Sequence, residues 1–487
     1  MRIDLARLRA ALSDRGLLAE VRGALPPHAS GISDDSRTVE PGGLFIAVRG
    51  WQSDGHDFLD AAAARGASCV IVEDADRTSM PALVVRKGRE AAALAAATAF
   101  ENPARELALV GVTGTNGKTT TTSILRHLLD DGSRSSASIG TLGVLVGSGG
   151  SVLPGGSGLT TPGPVELQRV LRTLVGKGVR AIAMEVSSHS LDQRRIDGLE
   201  FNVALFTNLT RDHLDYHGTM EAYLAAKARL LEYVRPGGSV IVNADAPEWA
   251  ALRVRGPKLT FSITADADVR ARDVRYVSNG SEWRLVTPGG EADVRLPLIG
   301  DVNVQNGLAA AAAAFAIGVP VADIGSRLAT VPQVPGRLEV ISTRPTVLRD
   351  YAHTPDALGR ALDTARAFTT GRLIVMFGCG GDRDKGKRPI MGEIAESRAD
   401  VVIVTSDNPR TEDPDGIIDD IEAGMKVSGH ERVVDRRAAI ERAIQIATNG
   451  DIVLLAGKGH ETYQIRGTTS YPFDEKEIVK EIAGRNT

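Results

Sequence analysis

Short runs of apolar and β-branched residues recur along the chain, and most of them lead into a polar or glycine-rich loop and then a stretch with helical periodicity. Such alternation predicts a mainly parallel sheet that is covered by helices on both faces. The pattern therefore predicts an α/β protein. The predicted strands lie at 44–48, 69–72, 82–85, 181–186, 203–208, 239–243, 373–378, 401–405 and 451–457.

Two breaks in this pattern divide the chain. E-N-P-A-R at 101–105 ends an alanine-rich helical stretch, and V-P-Q-V-P-G-R at 331–337 is rich in proline. Because proline and glycine interrupt regular elements, we expect domain boundaries at both places. The glycine- and serine-rich stretch at 147–158 is expected to be a flexible loop. The predicted domains are an α/β domain at 1–105, a central domain with a P-loop-type parallel sheet at 106–334, and a smaller, Rossmann-like α/β domain at 335–487.

The composition narrows the class of protein without identifying it. The 487 residues are 43% apolar and 24% charged, and the formal net charge of −4 offers no polycation for nucleic acid. Two cysteines are too few for a disulfide framework. The N-terminal residues lack the apolar core of a signal peptide, and no apolar run is long enough to span a bilayer. We therefore expect a cytoplasmic monomer that acts on small molecules.

The stretch L-A-L-V-G-V-T-G-T-N-G-K-T-T-T-T at 107–122 has the form of a strand, a glycine-rich loop and a helix. Glycines let backbone N–H groups close around phosphates, and the helix N-terminus adds partial positive charge. Lys118 is expected to bind the outer phosphates and Thr119 to bind Mg²⁺. Val112 stands where the strict form of such loops has a glycine. The predicted ATP-binding residues of this loop are Gly114, Thr115, Asn116, Gly117, Lys118, Thr119 and Thr120.

Further motifs follow the loop in order. M-E-V-S-S-H at 184–189 ends one strand, and N-L-T-R-D-H-L-D-Y-H-G at 208–218 ends the next. Y-L-A-A-K-A-R-L-L at 223–231 comes after them, followed by P-G-R-L-E at 335–339 and R-D-Y-A-H-T-P-D-A-L at 349–358. Together with T-N-G-K-T-T, these motifs resemble those of the Mur ligase family, whose members are three-domain, ATP-dependent, amide-forming ligases.

The resemblance implies an active centre that uses ATP and Mg²⁺ and proceeds through an acyl phosphate, with release of ADP and phosphate. Activating a carboxylate with ATP brings anionic groups together, and metal ions neutralise them. The implied catalytic residues are Lys118, Glu185, His213 and Lys227. The implied metal-binding residues are Thr119, Glu185, His213 and Lys227. His189 and His217 are expected to be structural.

Lys227 carries the most unusual implication. A lysine on a helix is normally a solvated surface charge, but in this family the lysine at this place is carbamylated by CO₂. The modification turns a cation into a carboxylate-like anion that can support a Mg²⁺ site. Carbamylation needs a neutral amine, and burial lowers the pKa of a lysine. We therefore expect Lys227 to be buried and to carry an N6-carboxyl group.

The resemblance also implies that residues around the second break meet the other end of the nucleotide. They are expected to contact adenine, ribose or phosphate, so that closure of the domains completes the ATP site. An interface ion pair is the alternative role for each of them. The residues concerned are Asn306, Arg337 and Asp350, with His353 nearby.

The first domain resembles the UDP-sugar-binding domain of the family through D-D-S-R-T-V-E-P-G-G-L-F-I-A-V-R-G at 34–50. Ser36 is implied to hydrogen-bond the uridine diphosphate end, near Trp51, Gln52 and Ser53. In the central domain, L-T-T-P at 159–162 resembles the family's N-T-T-P through its two threonines. The residues implied to hold the sugar-peptide near the γ-phosphate are Thr160, Thr161, Ser187, Gln193 and Arg195.

D-N-P-R at 407–410 matches the motif of the family branch that adds meso-2,6-diaminopimelate to UDP-N-acetylmuramoyl-L-Ala-D-Glu (UDP-MurNAc-L-Ala-D-Glu) for peptidoglycan synthesis. Diaminopimelate is lysine with an extra carboxylate, which Arg410 can bind with two parallel charge-assisted bonds. A site built around a polar group rejects an analogue that lacks it by about 10⁴-fold. The implied diaminopimelate-binding residues are Arg383, Asp407, Asn408, Pro409, Arg410, Gly457 and Glu461.

Other interpretations stay open on the sequence alone. Folylpolyglutamate synthetase shares the phosphate loop, but it does not account for the first 100 residues or for D-N-P-R. The lysine-adding ligases usually lack an arginine at the place of Arg410. A nucleotide-binding scaffold without chemistry would not need Thr119, Glu185, His213 and Lys227. Taken in isolation, D-N-P-R would fit an Asx turn with a surface salt bridge.

Overall fold

A computed structural model describes residues 2–50, 53–133, 135–154, 158–277, 280–427 and 429–485. The chain forms two compact units. The first unit comprises Met1–Arg270, Val286–Glu291 and Leu308–Ile324, and the second comprises Ala271–Leu285, Ala292–Gly307 and Gly325–Thr487. The first unit thus holds 1–105 together with most of 106–334, and the exact domain boundaries stay predictions.

The N-terminal part of the first unit is a small α/β layer. Its five-stranded sheet has the order β2-β7-β6-β5-β4, with β4 to β7 parallel and β2 antiparallel to β7. Helix α1 starts at an Asp4 side chain that accepts hydrogen bonds from two backbone N–H groups, and it buries Leu5, Leu8 and Leu12 on one face. The elements are β1 (Ile3–Asp4), α1 (Leu5–Asp14), β2 (Leu18–Arg22), β3 (His28–Ala29), β4 (Ile32–Ser33), β5 (Leu44–Ile46), α2 (Leu59–Ala64), β6 (Cys69–Val72), β7 (Ala82–Val85) and α3 (Gly88–Ala99).

The centre of the first unit is a larger sheet. The helical and strand segments up to residue 262 are β8 (Ala108–Thr113), α4 (Lys118–Leu129), β9 (Ser135–Gly140), β10 (Gly143–Val146), β11 (Ser151–Leu153), α5 (Pro164–Gly176), β12 (Val179–Glu185), α6 (Ser188–Asp192), β13 (Phe201–Phe206), α7 (Leu214–His217), α8 (Met220–Ala228), β14 (Val234–Asn243) and β15 (Lys258–Ser262). The strand order is β11-β10-β9-β12-β8-β13-β14-β15. Within this order, the six strands β9-β12-β8-β13-β14-β15 are parallel to one another. Strand β10 is antiparallel to both of its neighbours, β9 and β11.

Several elements that follow have residues in both units. They are β16 (Val269–Val277), β17 (Gly280–Thr287), β18 (Gly290–Leu296) and α9 (Asp301–Ile317). Helix α10 comes next and spans Val321–Leu328. Only their bounds matter for the site, except that the first half of α9 carries Asn306.

The second unit contains a six-stranded sheet of order β19-β20-β24-β21-β22-β23. All its neighbouring strands are parallel except the pair β19–β20, and β21 and β24 are completely buried at its centre. The elements are β19 (Glu339–Thr343), β20 (Thr346–Asp350), α11 (Pro355–Phe368), β21 (Leu373–Phe377), α12 (Lys387–Arg398), β22 (Val401–Val404), α13 (Pro414–Glu422), β23 (Glu431–Arg432), α14 (Arg436–Ile446), β24 (Ile452–Ala456), β25 (Tyr463–Arg466), β26 (Thr469–Pro472) and α15 (Glu475–Arg485).

The fold confirms the predicted α/β class and corrects one detail. The stretch at 147–158 is not a loop throughout, because Ser151–Leu153 forms β11 and pairs with β10. The sequence hid this strand, since glycine and serine on both sides favour a loop. Among the described residues, no helix is long and apolar enough to cross a membrane.

Candidate active site

Strand order brings the predicted phosphate loop and metal residues to one edge of the first unit's large sheet. β8 lies between β12 and β13, and all three are parallel. Their carboxyl ends therefore meet, which places the phosphate loop beside Glu185 and Asn208. The loop ends at Gly117, whose φ of 83° favours glycine, and helix α4 begins at Lys118. The Asn208 side chain accepts a hydrogen bond from the Asn116 N–H at 2.8 Å, which fixes the loop.

Two lysines meet at one carbonyl oxygen of this loop. The Lys118 ammonium donates to the Gly114 and Thr115 oxygens at 2.8 Å each, and Lys227 donates to the same Gly114 oxygen at 2.8 Å. Lys227 is 1% exposed, and its Nζ lies 4.5 Å from the Tyr223 ring centroid. Burial, aided by the charge of Lys118, places the pKa of Lys227 well below its usual value. Lys227 therefore has the burial and the readily neutralised amine that carbamylation requires.

Glu185 ends β12 and is also almost completely buried, at 1% exposed. Its carboxylate accepts hydrogen bonds from the Thr141 N–H at 2.8 Å and from the Thr141 hydroxyl at 3.1 Å. Thr141 directly follows β9, the strand on the other side of β12. The carboxylate is thereby oriented by the sheet edge itself, on the strand beside the phosphate loop that leads into α4 and Thr119.

His213 lies in a cluster of aromatic rings. It adopts a left-handed backbone conformation with φ of 54° just before α7, and its Nε2 lies 3.4 Å from Asp212. Its ring packs edge-on against His189 with centroids 4.8 Å apart, and His217 Nε2 lies 2.9 Å from the Ser188 hydroxyl. Burial lowers the pKa of His213, although Asp212 opposes that shift. A neutral imidazole is the form that binds metal ions.

The residues implied to hold Mg²⁺ supply suitable donors under one condition. The described residues form no group of three or more His, Cys, Asp or Glu arranged for a metal ion. Mg²⁺ usually binds through one or two carboxylates and substrate phosphates, which the Thr119 hydroxyl and the Glu185 carboxylate can complement. Two ammonium groups on the Gly114 oxygen would repel a divalent cation. The donor set therefore fits Mg²⁺ only if Lys227 carries the predicted carbamate, and His213 stays a predicted ligand.

Four of the residues implied to hold the sugar-peptide form one network behind Glu185. The Thr161 hydroxyl donates to the Glu185 carbonyl oxygen at 2.9 Å and accepts from the Ser187 N–H at 3.1 Å. The Arg195 guanidinium donates to the Thr161 carbonyl at 3.1 Å and to the Gln193 side-chain oxygen at 2.6 Å. Because Thr161 is completely buried, its hydroxyl positions the neighbouring chain in this structure.

Two further residues of that group lie apart from this network. The Thr160 hydroxyl is 3.3 Å from the hydroxyl of Thr141, the residue that binds Glu185. Ser36 is buried and begins a short 3-10 helix in the N-terminal layer. Trp51 and Gln52 lie outside the described residues. The roles of all these residues stay predictions.

The nucleotide-binding residues implied by the second break lie in the second unit. The Arg337 guanidinium lies over the Tyr351 ring, 4.8 Å from its centroid, and Tyr351 in turn packs edge-on against His353. Burial raises the pKa of Asp350, and Arg337 acts against that shift. Asn306 is buried on α9. Arg337 and Asp350 thus form an electrostatically coupled pair within this unit.

Arg410 follows β22 in a strained but well-anchored position. Its φ is 52°, its N–H donates to the Ile465 carbonyl at 3.1 Å, and its guanidinium donates to the Gly381 carbonyl at 2.8 Å. The side chain of Arg383 passes the same loop: a methyl group at Gly380 would lie 3.0 Å from the Arg410 guanidinium and 3.8 Å from Cγ of Arg383. The structure therefore places the Arg410 guanidinium and the aliphatic stem of Arg383 beside Gly380, and their binding of the distal carboxylate stays a prediction.

The rest of D-N-P-R is buried in a polar network. The Asn408 side chain donates to the Glu461 carboxylate at 2.8 Å and accepts from the Ile465 N–H at 3.0 Å. The Asp407 carbonyl accepts from the Gln464 side chain at 2.7 Å, and Pro409 is buried. An Asx turn with a surface salt bridge does not describe this arrangement, because the Asn408 side chain bonds to Glu461 and Ile465, which lie 53 and 57 positions further along the chain.

Some residues of both sites had no signal in the sequence. Thr141 is one of them, since nothing marks a threonine after β9 as the partner of Glu185. Lys458 is another: it stands in A-G-K-G-H-E at 456–461, where the family resemblance implies roles only for Gly457 and Glu461. Arg388 is a third. It is buried, and it donates to Glu412 at 2.9 Å, next to the Gly380–Gly381 loop.

The fold and the first site define the class of protein: an α/β nucleotide-binding protein with a phosphate loop at the carboxyl edge of a parallel sheet. Three family models match the chain, described as Mur ligase family, catalytic domain (residues 28–109), Mur ligase middle domain (112–314) and Mur ligase, glutamate ligase domain (336–459). The chain belongs to the Mur ligase family.

Three named proteins show which members of the family this chain is similar to. A UDP-N-acetylmuramoyl-L-alanyl-D-glutamate–2,6-diaminopimelate ligase of Synechococcus elongatus is 46% identical, over 95% of this chain and 96% of that protein. A solved structure with the same enzyme name is 35% identical over 96% of this chain and 97% of that one, with a TM-score of 0.69. MurF ligase from Thermotoga maritima, solved with ADP, matches in fold alone, at 21% identity over 93% and 98% of the two chains and a TM-score of 0.66.

Proposed function

We propose that this protein is an ATP-dependent ligase that joins meso-2,6-diaminopimelate to the D-glutamyl carboxylate of UDP-MurNAc-L-Ala-D-Glu, in cytoplasmic peptidoglycan precursor synthesis. The observation that carries the choice of amine is the placement of the Arg410 guanidinium beside Gly380, with the stem of Arg383 on the same loop, next to the Asn408–Glu461 pair. This arrangement offers cations to a carboxylate and a carboxylate to an ammonium group. The named relatives with full-length similarity support the same choice.

The first step activates the acceptor. Its terminal carboxylate attacks the γ-phosphorus of ATP, which gives an acyl phosphate and ADP. Lys118, which donates to the Gly114 carbonyl at the start of α4, offers its positive charge to the transferring phosphoryl group, and the N–H groups of the loop orient the phosphates. Mg²⁺, when bound, neutralises phosphate charge. Thr119, Glu185, His213 and carbamylated Lys227 would hold it.

The second step forms the amide bond. The α-amine of diaminopimelate attacks the acyl carbon, phosphate leaves, and the amine loses a proton. The distal head group of the substrate is held away from the reaction by Arg410 and Arg383 at its carboxylate. Asn408, Glu461 and the Gly457 carbonyl complete the polar surroundings of its ammonium group. Selection therefore depends on the distal carboxylate, which lysine lacks.

One assay tests this proposal. Phosphate release is measured with ATP, Mg²⁺ and UDP-MurNAc-L-Ala-D-Glu, with either diaminopimelate or lysine as the amine and a control without acceptor. We expect release with diaminopimelate and a value of kcat/KM for lysine lower by about 10³-fold or more, because lysine would leave Arg410 without its anion. Equal turnover with both amines would contradict the proposed specificity.

The carbamylation of Lys227 has a separate test that does not depend on activity. Native mass spectrometry in bicarbonate buffer should show a mass gain of one CO₂, and denaturation should remove it. Lys227→Met should lack the gain, whereas Lys177→Met, a change at an exposed lysine, should keep it. An unmodified mass in saturating bicarbonate would contradict this part of the proposal.

A further inference from the structure

Lys458 lies at the centre of the network around D-N-P-R, and none of the roles assigned above uses it. Its side chain is 0% exposed. It sits between Gly457 and Gly459, whose φ angles of 112° and 53° form the turn after β24 that carries the lysine inward. A side chain at Gly457 would collide with the Asp407 carboxylate, so the glycine allows that acid to approach Lys458.

The contacts of Lys458 join the residues that are proposed to bind the amino acid. Its ammonium donates to the Asn408 side-chain oxygen at 3.0 Å and to the Glu461 carboxylate at 3.4 Å, and it lies 3.7 Å from Asp407. The Asn408 amide group donates to the same Glu461 oxygen at 2.8 Å. Lys458 thus holds both the acceptor side of Asn408 and the carboxylate of Glu461, and it fixes which way each one points.

Strand β25 (Tyr463–Arg466) joins the cluster around Lys458 to Arg410. The Ile465 N–H on β25 donates to Asn408, and the Ile465 carbonyl accepts from the Arg410 N–H. Tyr463 on the same strand lies close enough to Glu461 and Arg410 for both charges to act on its pKa, which burial raises. The lysine-centred cluster and the arginine are therefore two halves of one head-group site.

The formal charges of Lys458 and its two carboxylate neighbours indicate what the ammonium group contributes to the cluster. Asp407 and Glu461 together carry two formal negative charges, and one ammonium group reduces the cluster to a single negative charge. Without Lys458, the two carboxylates would favour a dication over a single ammonium group. With Lys458 present, the cluster matches one ammonium group, and Arg410 matches one carboxylate.

We propose that Lys458 is a positioning residue of the amino-acid site: it orients Glu461 and Asn408 and sets the cluster to the charge that matches the single ammonium group of a zwitterionic head group. This inference rests on the proposed function. It differs from a purely structural role, because it ties Lys458 to the affinity for the amine and leaves the nucleotide and sugar substrates unaffected.

Steady-state kinetics of the full chain test this inference. The variants are Lys458→Met, which removes the charge, and Lys458→Gln, which keeps hydrogen-bonding reach. The matched control is Lys426→Met, an exposed lysine of the same unit that pairs with Glu393 on the surface. We expect both Lys458 variants to raise the KM for diaminopimelate by about tenfold or more, with the KM for ATP changed less than about twofold.

A double variant adds a readout that loss of structure would not produce. Glu461→Gln alone removes an ammonium partner, whereas Lys458→Met with Glu461→Gln restores the single negative charge. The double variant should therefore have a lower diaminopimelate KM than the product of the two single effects predicts. Independent, multiplying effects would overturn the charge-matching role.

Three further results would separate the role of Lys458 from stability and from the proposed function. A folded Lys458 variant with an unchanged diaminopimelate KM would overturn the inference while the proposed function stands. Loss of the cooperative thermal transition in both Met and Gln variants would assign Lys458 to stability alone. If the wild-type protein released no phosphate with diaminopimelate, the proposed function itself would fail.

Discussion

Two buried lysines mark the two candidate subsites, and their surroundings are opposite. Lys227, in the first unit, shares the Gly114 carbonyl oxygen with the ammonium of Lys118. Lys458, in the second unit, donates to Asn408 and lies near two carboxylates. Burial is nearly complete for both side chains, so burial does not distinguish them. Their partners distinguish them: Lys227 has a second ammonium group beside it, whereas Lys458 has an amide oxygen and two carboxylates.

The two candidate subsites differ in how their charges are arranged before a ligand binds. The phosphate-loop subsite concentrates positive charge, because its ligands bring the negative charge with them. The amino-acid subsite balances its charges internally and offers one anionic and one cationic face to a zwitterion. A site for a polyanion can stay electrostatically unbalanced without its ligand, whereas a site that selects a zwitterion must be organised beforehand.

The largest effect is expected from removing the positive charge of Lys118 in the phosphate-loop subsite. Lys118→Met should lower kcat/KM by about 10³-fold, because the variant loses the cation that stabilises the transferring phosphoryl group. Phosphate release at varied ATP measures the change. Lys177→Met, at an exposed position after α5, serves as the control and should keep full activity. A loss of tenfold or less would show that Lys118 is not part of the phosphoryl-transfer centre.

The next effect tests the cationic face of the amino-acid subsite. Arg410→Lys keeps the charge but loses the planar fork, so the KM for diaminopimelate should rise about 10²-fold with ATP unaffected. Arg432→Lys is the matched control, since Arg432 belongs to a surface ion-pair network of the same unit. An unchanged diaminopimelate KM in the Arg410 variant would mean that Arg383 or another group binds the carboxylate.

A smaller effect sharpens the contrast between the two lysines through stability. Lys458→Met should lower the free energy of unfolding by about 2 kcal/mol, because it leaves buried carboxylates without their cation. Lys227→Met should raise it by about 1 kcal/mol in CO₂-free buffer, because it relieves the cost of burying an ammonium near another one. Denaturant titration measures both. The same sign for both variants would contradict the comparison.

The pH dependence of the Lys227 effect has a defined sign. Since the folded-state pKa of Lys227 lies below its usual value of 10.5, the unfolded chain binds the proton more strongly. The cost to stability is therefore complete below the folded pKa and disappears as the pH rises toward 10.5. The advantage of Lys227→Met should shrink over the same range, as measured by unfolding at neutral and alkaline pH.

Much of this architecture could be predicted because it depends on local patterns. Apolar runs followed by loops predicted the α/β class, and the glycine spacing before Lys118 predicted the loop and the start of α4. Parallel strands bring their carboxyl ends to one edge whatever the intervening sequence, so Glu185 could be expected beside the loop. The strand Ser151–Leu153 escaped prediction, because its pairing with β10 outweighs the local preference of glycine and serine for a loop.

The parts that could not be predicted depend on contacts between distant segments. Thr141 meets Glu185 across 44 positions of the chain, and Lys458 meets Asn408 across 50. Nothing local distinguishes a lysine that turns inward between two glycines from one that stays in solvent. The division into two compact units likewise depends on tertiary packing, which composition does not encode.

The smallest effect tests how acid acts on the amino-acid subsite. Glu412 accepts hydrogen bonds from the Arg388 guanidinium and from the Asp382 N–H, and both contacts hold the chain beside Gly381. The Arg388 contact most of all, and the Asp382 N–H next, lower the pKa of Glu412 from 4.5 to about 2. Stability from a carboxylate with a lowered pKa is complete above pH 4.5 and is lost as the pH falls through about 2. Between about pH 5.5 and about pH 3.5, wild type should therefore lose about 2 °C more in Tm than Glu412→Gln, a modest amount because the pair is partly exposed. Differential scanning calorimetry at both pH values measures this, and parallel Tm curves for the two proteins would show that Glu412 does not link this loop to pH.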